Sequence, residues 1–81
     1  MQAQDIEHLI EEQLPGARAR VRSDDGVHFE AVVISAAFAG KSLVQQHRLV
    51  YAALGERLAR EDIHALALKT CTPDAWQQQQ S

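Results

Sequence analysis

"ARARVRSDDGVHFEAVVIS", residues 17–35, decides the fold. Its first half alternates strictly, with Ala17, Ala19 and Val21 on one face and Arg18, Arg20 and Arg22 on the other. That period of two predicts a half-buried strand that shows arginines to water. Ser23-Asp24-Asp25-Gly26 follows, and an Asp-Gly pair between two alternating runs is a strong hairpin signal. The return run, Val27 to Ser35, places Val27, Phe29, Ala31 and Val33 on the core side, and His28, Glu30, Val32 and Ile34 on the other.

Outward from the hairpin, both flanks read as helices. Residues 5–14, "DIEHLIEEQL", put Ile6, Leu9, Ile10 and Leu14 on one stripe, with Asp5 as cap and Glu7, Glu11 and Glu12 facing water. Pro15-Gly16 ends that helix. On the other side, "AAFAG" is a loop around Phe38, and Ser42 with Gln45 forms a capping-box pattern. The spacing then predicts a helix to about Arg60, with Val44, His47, Tyr51, Leu54 and Leu58 as its apolar stripe, widened by Val50. Gly55 is interior to it on this reading. "IHALALKT", residues 63–70, supplies a third strand, and "TPDAW" one helical turn with Thr72 as cap and Trp76 folded back onto the domain. A strand reached through a helix runs parallel to its predecessor, whereas the hairpin pair is antiparallel. The expected architecture is therefore α+β, a three-stranded mixed sheet with helices packed on one face.

Eighty-one residues make one domain with one small core, expected over residues 1–76, followed by a frayed Gln-rich tail at 77–81. The net charge of −3 argues against a whole-surface affinity for nucleic acid or anionic membrane. The single cysteine, Cys71, excludes an internal disulfide and fits a reducing compartment. With no run of about 20 apolar residues and an acidic N-terminus, the expectation is a cytoplasmic protein without membrane attachment.

"AGKS", residues 39–42, ends like a phosphate-binding loop, but Ser35 occupies the position of the glycine that motif requires five residues before Gly40. A capped helix start is the better reading. Ser23, Ser35, Ser42 and Cys71 lie in no recognisable nucleophile context. Of the four histidines, His8 is expected in water and His47 on the apolar helix stripe. His28 and His64 are each second in a strand; a lone histidine there is more often structural than a proton donor or metal ligand, since a metal site usually shows several ligands at short spacing.

Several blocks in order narrow these choices. His28-Phe29, Phe38-x-Gly40-x-Ser42, His47-Arg48-Leu49-Val50-Tyr51, Ile63-His64-Ala65-Leu66 and Thr72-Pro73-x-x-Trp76 together resemble the BolA-like family, and closely its bacterial YrbA branch. The resemblance implies an αββαβα fold similar to a class II KH domain. It also implies a non-enzymatic role: pairing with a monothiol glutaredoxin and sharing a [2Fe–2S] cluster, for iron–sulfur trafficking or iron sensing. In that pairing the partner supplies a cysteine and a glutathione thiol, and this chain supplies His64. Some relatives carry a second ligand, Cys or His, in the first hairpin. Ser23-Asp24-Asp25-Gly26 holds neither, which leaves His28 as the substitute, beside the plainer reading of a strand residue bonded to backbone or to Glu30, and Asp25 as a weaker oxygen donor. Alone, the chain is expected to be a monomer or weak homodimer. The alternative implied by the resemblance is a transcriptional regulator that binds DNA, with Lys41, Arg48, Arg18, Arg20 and Arg22 as phosphate contacts, although no GxxG loop is present.

Overall fold

The computed structural model describes residues 2–55 and 65–80. Helix α1 (Ala3–Gln13) leads into strands β1 (Arg18–Arg22) and β2 (His28–Ile34), then a 3-10 turn (Ala36–Phe38) and helix α2 (Leu43–Leu54). Strand β3 (Ala65–Cys71) and helix α3 (Pro73–Gln80) complete the described chain. The sheet order is β1-β2-β3, with β1 antiparallel to β2 and β2 parallel to β3, as the hairpin and the helical connection require. His64 and the start of its run lie outside the described residues.

Alternation sorts the sheet into two faces. Ala19, Val21, Phe29, Ala31 and Val33 are buried and join Ile6, Ile10, Phe38, Val50 and Leu54 in one core cluster, so α1 and α2 cover this face. Each fully buried Ile, Val, Leu or Phe contributes roughly 1.5–3 kcal/mol by leaving water. The opposite face carries Arg18, Arg20, Arg22, His28 and Glu30, all exposed. Pro73, Trp76 and Gln77 of α3 share a hollow with Arg18, Arg20 and Ile34, so Trp76 folds back at the end of that second face. The helix runs on through the glutamines to Gln80, longer than the single turn expected, with the Thr72 hydroxyl accepting the Ala75 N–H at 3.3 Å.

Several expectations need correction. Gln2, not Asp5, caps α1; Asp5 stands in its first turn and accepts the Gln2 N–H at 3.0 Å. Glu7 and Glu11 do not simply face water. Their carboxylates accept the Val21 N–H at 2.8 Å and the Ala19 N–H at 3.0 Å. These are edge-strand donors, and α1 satisfies them so that β1 offers a blunted edge to other chains. Val27 lies in the hairpin loop and is exposed rather than on the core side.

The largest correction concerns α2. Ser42 and Gln45 do form the capping box, with bonds of 3.2 and 3.0 Å. The buried stripe, however, is Gln46, Val50 and Leu54, flanked by half-buried Leu49, while Val44 is 59% exposed and Tyr51 42% exposed. His47 is half-buried and meets Tyr51 edge-on at 6.4 Å between ring centres, away from the core. Gln46 is buried because it is fully engaged. Its amide donates to the Lys41 carbonyl at 2.9 Å and the Phe38 carbonyl at 3.4 Å, and its oxygen accepts the Thr70 hydroxyl at 2.7 Å. α2 stops at Gly55, which caps it at φ 53° with its N–H on the Tyr51 carbonyl; Leu58 and Arg60 lie outside the described residues.

Candidate metal-ligand site

The mouth of the sheet, where β2 and β3 begin, holds the candidate site. β2 starts at His28, whose Cα partner across the parallel ladder is Ala65, the residue that follows His64 in the chain. The hairpin loop before His28 is organised by one side chain, Asp25. Its Oδ1 accepts the Val27 N–H at 2.9 Å and the His28 N–H at 2.8 Å, and the Ser23 hydroxyl at 3.4 Å. Ser23 Oγ in turn accepts the Gly26 N–H at 2.9 Å, and Gly26 takes the positive φ of 75° that turns the chain. An aspartate that bonds backbone N–H groups two and three residues on is the ordinary logic of an Asx turn.

The other oxygen of Asp25, Oδ2, lies 2.7 Å from His28 Nδ1. This pairing differs from the sequence reading, which offered backbone or Glu30 as the partner of His28; Glu30 instead pairs with Arg22 at 2.8 Å. That second pair sits on open surface and is worth little to stability. The His28 N–H, the His28 ring and the Val27 N–H together hold the Asp25 carboxyl well below the usual carboxylate range. The His28 side chain is 73% exposed. A ring fixed through Nδ1 and otherwise open to solvent is a directed nitrogen donor, the arrangement in which an outer carboxylate orients a metal-bound histidine.

Cys71 is at the other end. It pairs with Ile34, six residues along the ladder from Ala65 and His28, or about 20 Å in extended chain. It is buried, and loss of hydration pushes its thiol pKa up, against a weaker downward pull from Lys69. Such a thiol is a poor ligand for anything at the mouth. Among the described residues, no three His, Cys, Asp or Glu side chains converge as a metal-holding group. His28 thus offers, among the described residues, a single nitrogen donor at the mouth, which fits one ligand position.

The cations proposed for phosphate contact do not form one surface. Arg18, Arg20 and Arg22 stand on the sheet face opposite α1 and α2, whereas Arg48 is on α2 and Lys41 just precedes it. No helix of the described residues is long and apolar enough to cross a membrane.

Residues 7–75 match the family described as BolA-like protein. The chain belongs to the BolA-like family. It is 54% identical to human BolA-like protein 2 over 48 residues, covering 59% of this chain and 54% of that protein. It is 39% identical to the acid stress protein IbaG of Escherichia coli K12 over 54 residues, covering 67% of this chain and 64% of that protein. Each match therefore spans less than two thirds of the relative's length. Among solved structures, a BolA homologue from Coxiella burnetii superposes with a TM-score of 0.86 at 45% identity, covering 95% of this chain and 97% of that one. These identities establish the BolA-like family and its fold, and do not set the YrbA branch apart from the others.

Asp25 is the site residue whose role sequence reading missed, having been weighed only as an oxygen donor. The signal was present: an aspartate followed by glycine, with a histidine three residues on, is the pattern of an Asx turn that returns to the imidazole.

Proposed function

We propose that this chain acts as the partner of a monothiol glutaredoxin and shares a [2Fe–2S] cluster with it, in iron–sulfur trafficking or iron sensing. The role is one of binding, not catalysis. His64 and His28 are the nitrogen donors from this side, and the partner contributes its cysteine and a glutathione thiol. The observation that carries the reading is the exposed, carboxylate-held ring of His28, directly across the ladder from the residue that follows His64. Membership of the BolA-like family supports it.

When bound, the cluster supplies one-electron redox chemistry, and neutral imidazole in place of thiolate raises its potential as in Rieske centres. The chain's own part is to direct the ligands. Strand pairing fixes the backbone at the mouth, the hairpin holds one ring through Asp25, and the exposed side chain leaves room for a second protein. Such a donor is oriented without being buried, which suits a centre that bridges two chains.

The test is co-expression with a monothiol glutaredoxin, followed by absorption and EPR spectroscopy of the complex. A coloured heterocomplex with nitrogen-ligated cluster features is expected, and His64→Ala is expected to remove those features. A colourless pair, or a His64→Ala complex with an unchanged spectrum, would overturn the proposal.

A further inference from the structure

The sequence leaves two candidates in the hairpin for a second donor, Asp25 and His28, and the geometry separates their roles. Most of the side-chain bonds that close the loop converge on the Asp25 carboxylate. Oδ1 serves two backbone N–H groups at 2.9 and 2.8 Å and the Ser23 hydroxyl at 3.4 Å, and Oδ2 faces His28 Nδ1 at 2.7 Å. Turning either oxygen outward to a metal would break the contacts that shape the turn. The imidazole has no such duty. Its Nδ1 is already engaged, and the rest of the ring stands in solvent at 73% exposure.

We infer that Asp25 is a positioning residue: it holds His28 as the Nδ1–H tautomer and so makes Nε2 the donor atom toward a shared metal centre. The inference rests on the proposed function for the identity of that centre, but the tautomer is a property of the chain alone. A carboxylate oxygen can only accept, so a neutral ring 2.7 Å away must carry its proton on Nδ1. The lone pair then sits on Nε2, on the far side of the ring. The dyad is built within four residues of one turn, so it exists before any partner arrives.

The chemistry gives a sharp variant. In Asp25→Asn the amide oxygen can keep the bonds now made by Oδ1, while the NH2 group takes the place of Oδ2. That group donates, so it pairs with a lone pair on Nδ1 and moves the ring proton to Nε2. One atom is exchanged and the tautomer inverts. The donor nitrogen becomes protonated while the hairpin keeps its shape.

The experiment records two-bond 1H–15N correlations of the imidazole rings in the full-length 15N-labelled chain, with the pH raised until the ring shifts stop changing so that the neutral form is observed. His28→Ala assigns the signal. The wild-type ring is expected as Nδ1–H and the Asp25→Asn ring as Nε2–H. A wild-type Nε2–H ring would overturn the inference without reference to any variant, as would a tautomer unchanged by Asp25→Asn. A second arm loads the wild-type and variant chains with a monothiol glutaredoxin and follows loss of the cluster's absorption. Loss roughly 10–100-fold faster is expected for Asp25→Asn, the usual effect of removing an outer carboxylate from a metal-bound histidine. If Asp25→Asn and His28→Ala both keep the cluster while His64→Ala loses its nitrogen features, the donor role of His28 falls and the shared-cluster reading stands. If the wild-type pair forms no cluster, that reading falls and the donor role falls with it.

Discussion

The two ends of the central strand are built by opposite means. At the His28 end, the chain is held by side-chain bonds from Asp25 and the ring is exposed. At the Ile34 end the chain is held by backbone bonds and buried side chains. Ser35 donates its N–H to the Cys71 carbonyl at 3.1 Å, Phe38 is 1% exposed, and Gln46 locks α2 to Thr70 of β3 at 2.7 Å. The difference teaches where stability and function are kept. One end carries buried apolar area and closed hydrogen bonds, so its side chains are not free to bind anything else. The other is shaped by one carboxylate and offers a nitrogen to the outside, at little cost to the core.

The comparison can be broken most severely at the buried end. Phe38→Ala should lower unfolding stability by about 3–5 kcal/mol, because it empties a fully enclosed aromatic site. Chemical denaturation measures this directly. A loss under about 1 kcal/mol would mean the buried end does not hold the fold together. A smaller effect is expected from Thr70→Val, which keeps the shape but leaves the Gln46 oxygen without its 2.7 Å donor in a buried setting. Stranding that oxygen should cost about 1–3 kcal/mol, read from the same denaturation curves.

The smallest effect belongs to the open end and is a matter of pH. The carboxyl of Asp25 is held below its ordinary value of 3.8, first by the His28 N–H, then by the His28 ring and the Val27 N–H. A depressed carboxylate contributes stability that is present above the unfolded value and is lost as pH falls through the folded one. The hairpin should therefore keep its bonds well below pH 4 and lose them only in stronger acid. Amide shifts of Val27 and His28 followed by NMR from pH 7 downward check this. A transition at or above 3.8 would show that Asp25 does not hold the loop.

Legibility followed the same division. The β1 and β2 faces were readable because period two leaves only one way to bury Ala19, Val21, Phe29, Ala31 and Val33 together. The α1 stripe was readable too, since Ile6 and Ile10 have no polar competitor on their face. α2 was misread because its sequence is apolar on two sides. Val44, His47 and Tyr51 make one stripe with Leu54; Gln46, Leu49 and Val50 make another with the same Leu54. Periodicity preferred the first because glutamine counts as polar. A buried amide is tolerated only when every partner is supplied, and those partners come from Phe38, Lys41 and Thr70, the last of which is 24 residues away. The consequence is an outer helix face with Leu43 63% exposed beside Val44 and Tyr51.

The sequence by itself determined the element order, the hairpin, the capped start of α2 and the family to which the chain belongs. These follow from short-range patterns: alternation, turn chemistry, a capping box, and blocks of residues in a specific order. Only the tertiary structure decided which side of α2 is buried and that Glu7 and Glu11 of α1 close the free edge of β1. Both depend on where a polar side chain finds its hydrogen-bond partner. Burial of apolar groups is non-directional and leaves a periodic trace in the chain, whereas a hydrogen bond is settled by distances of about 3 Å between groups that the sequence does not bring together.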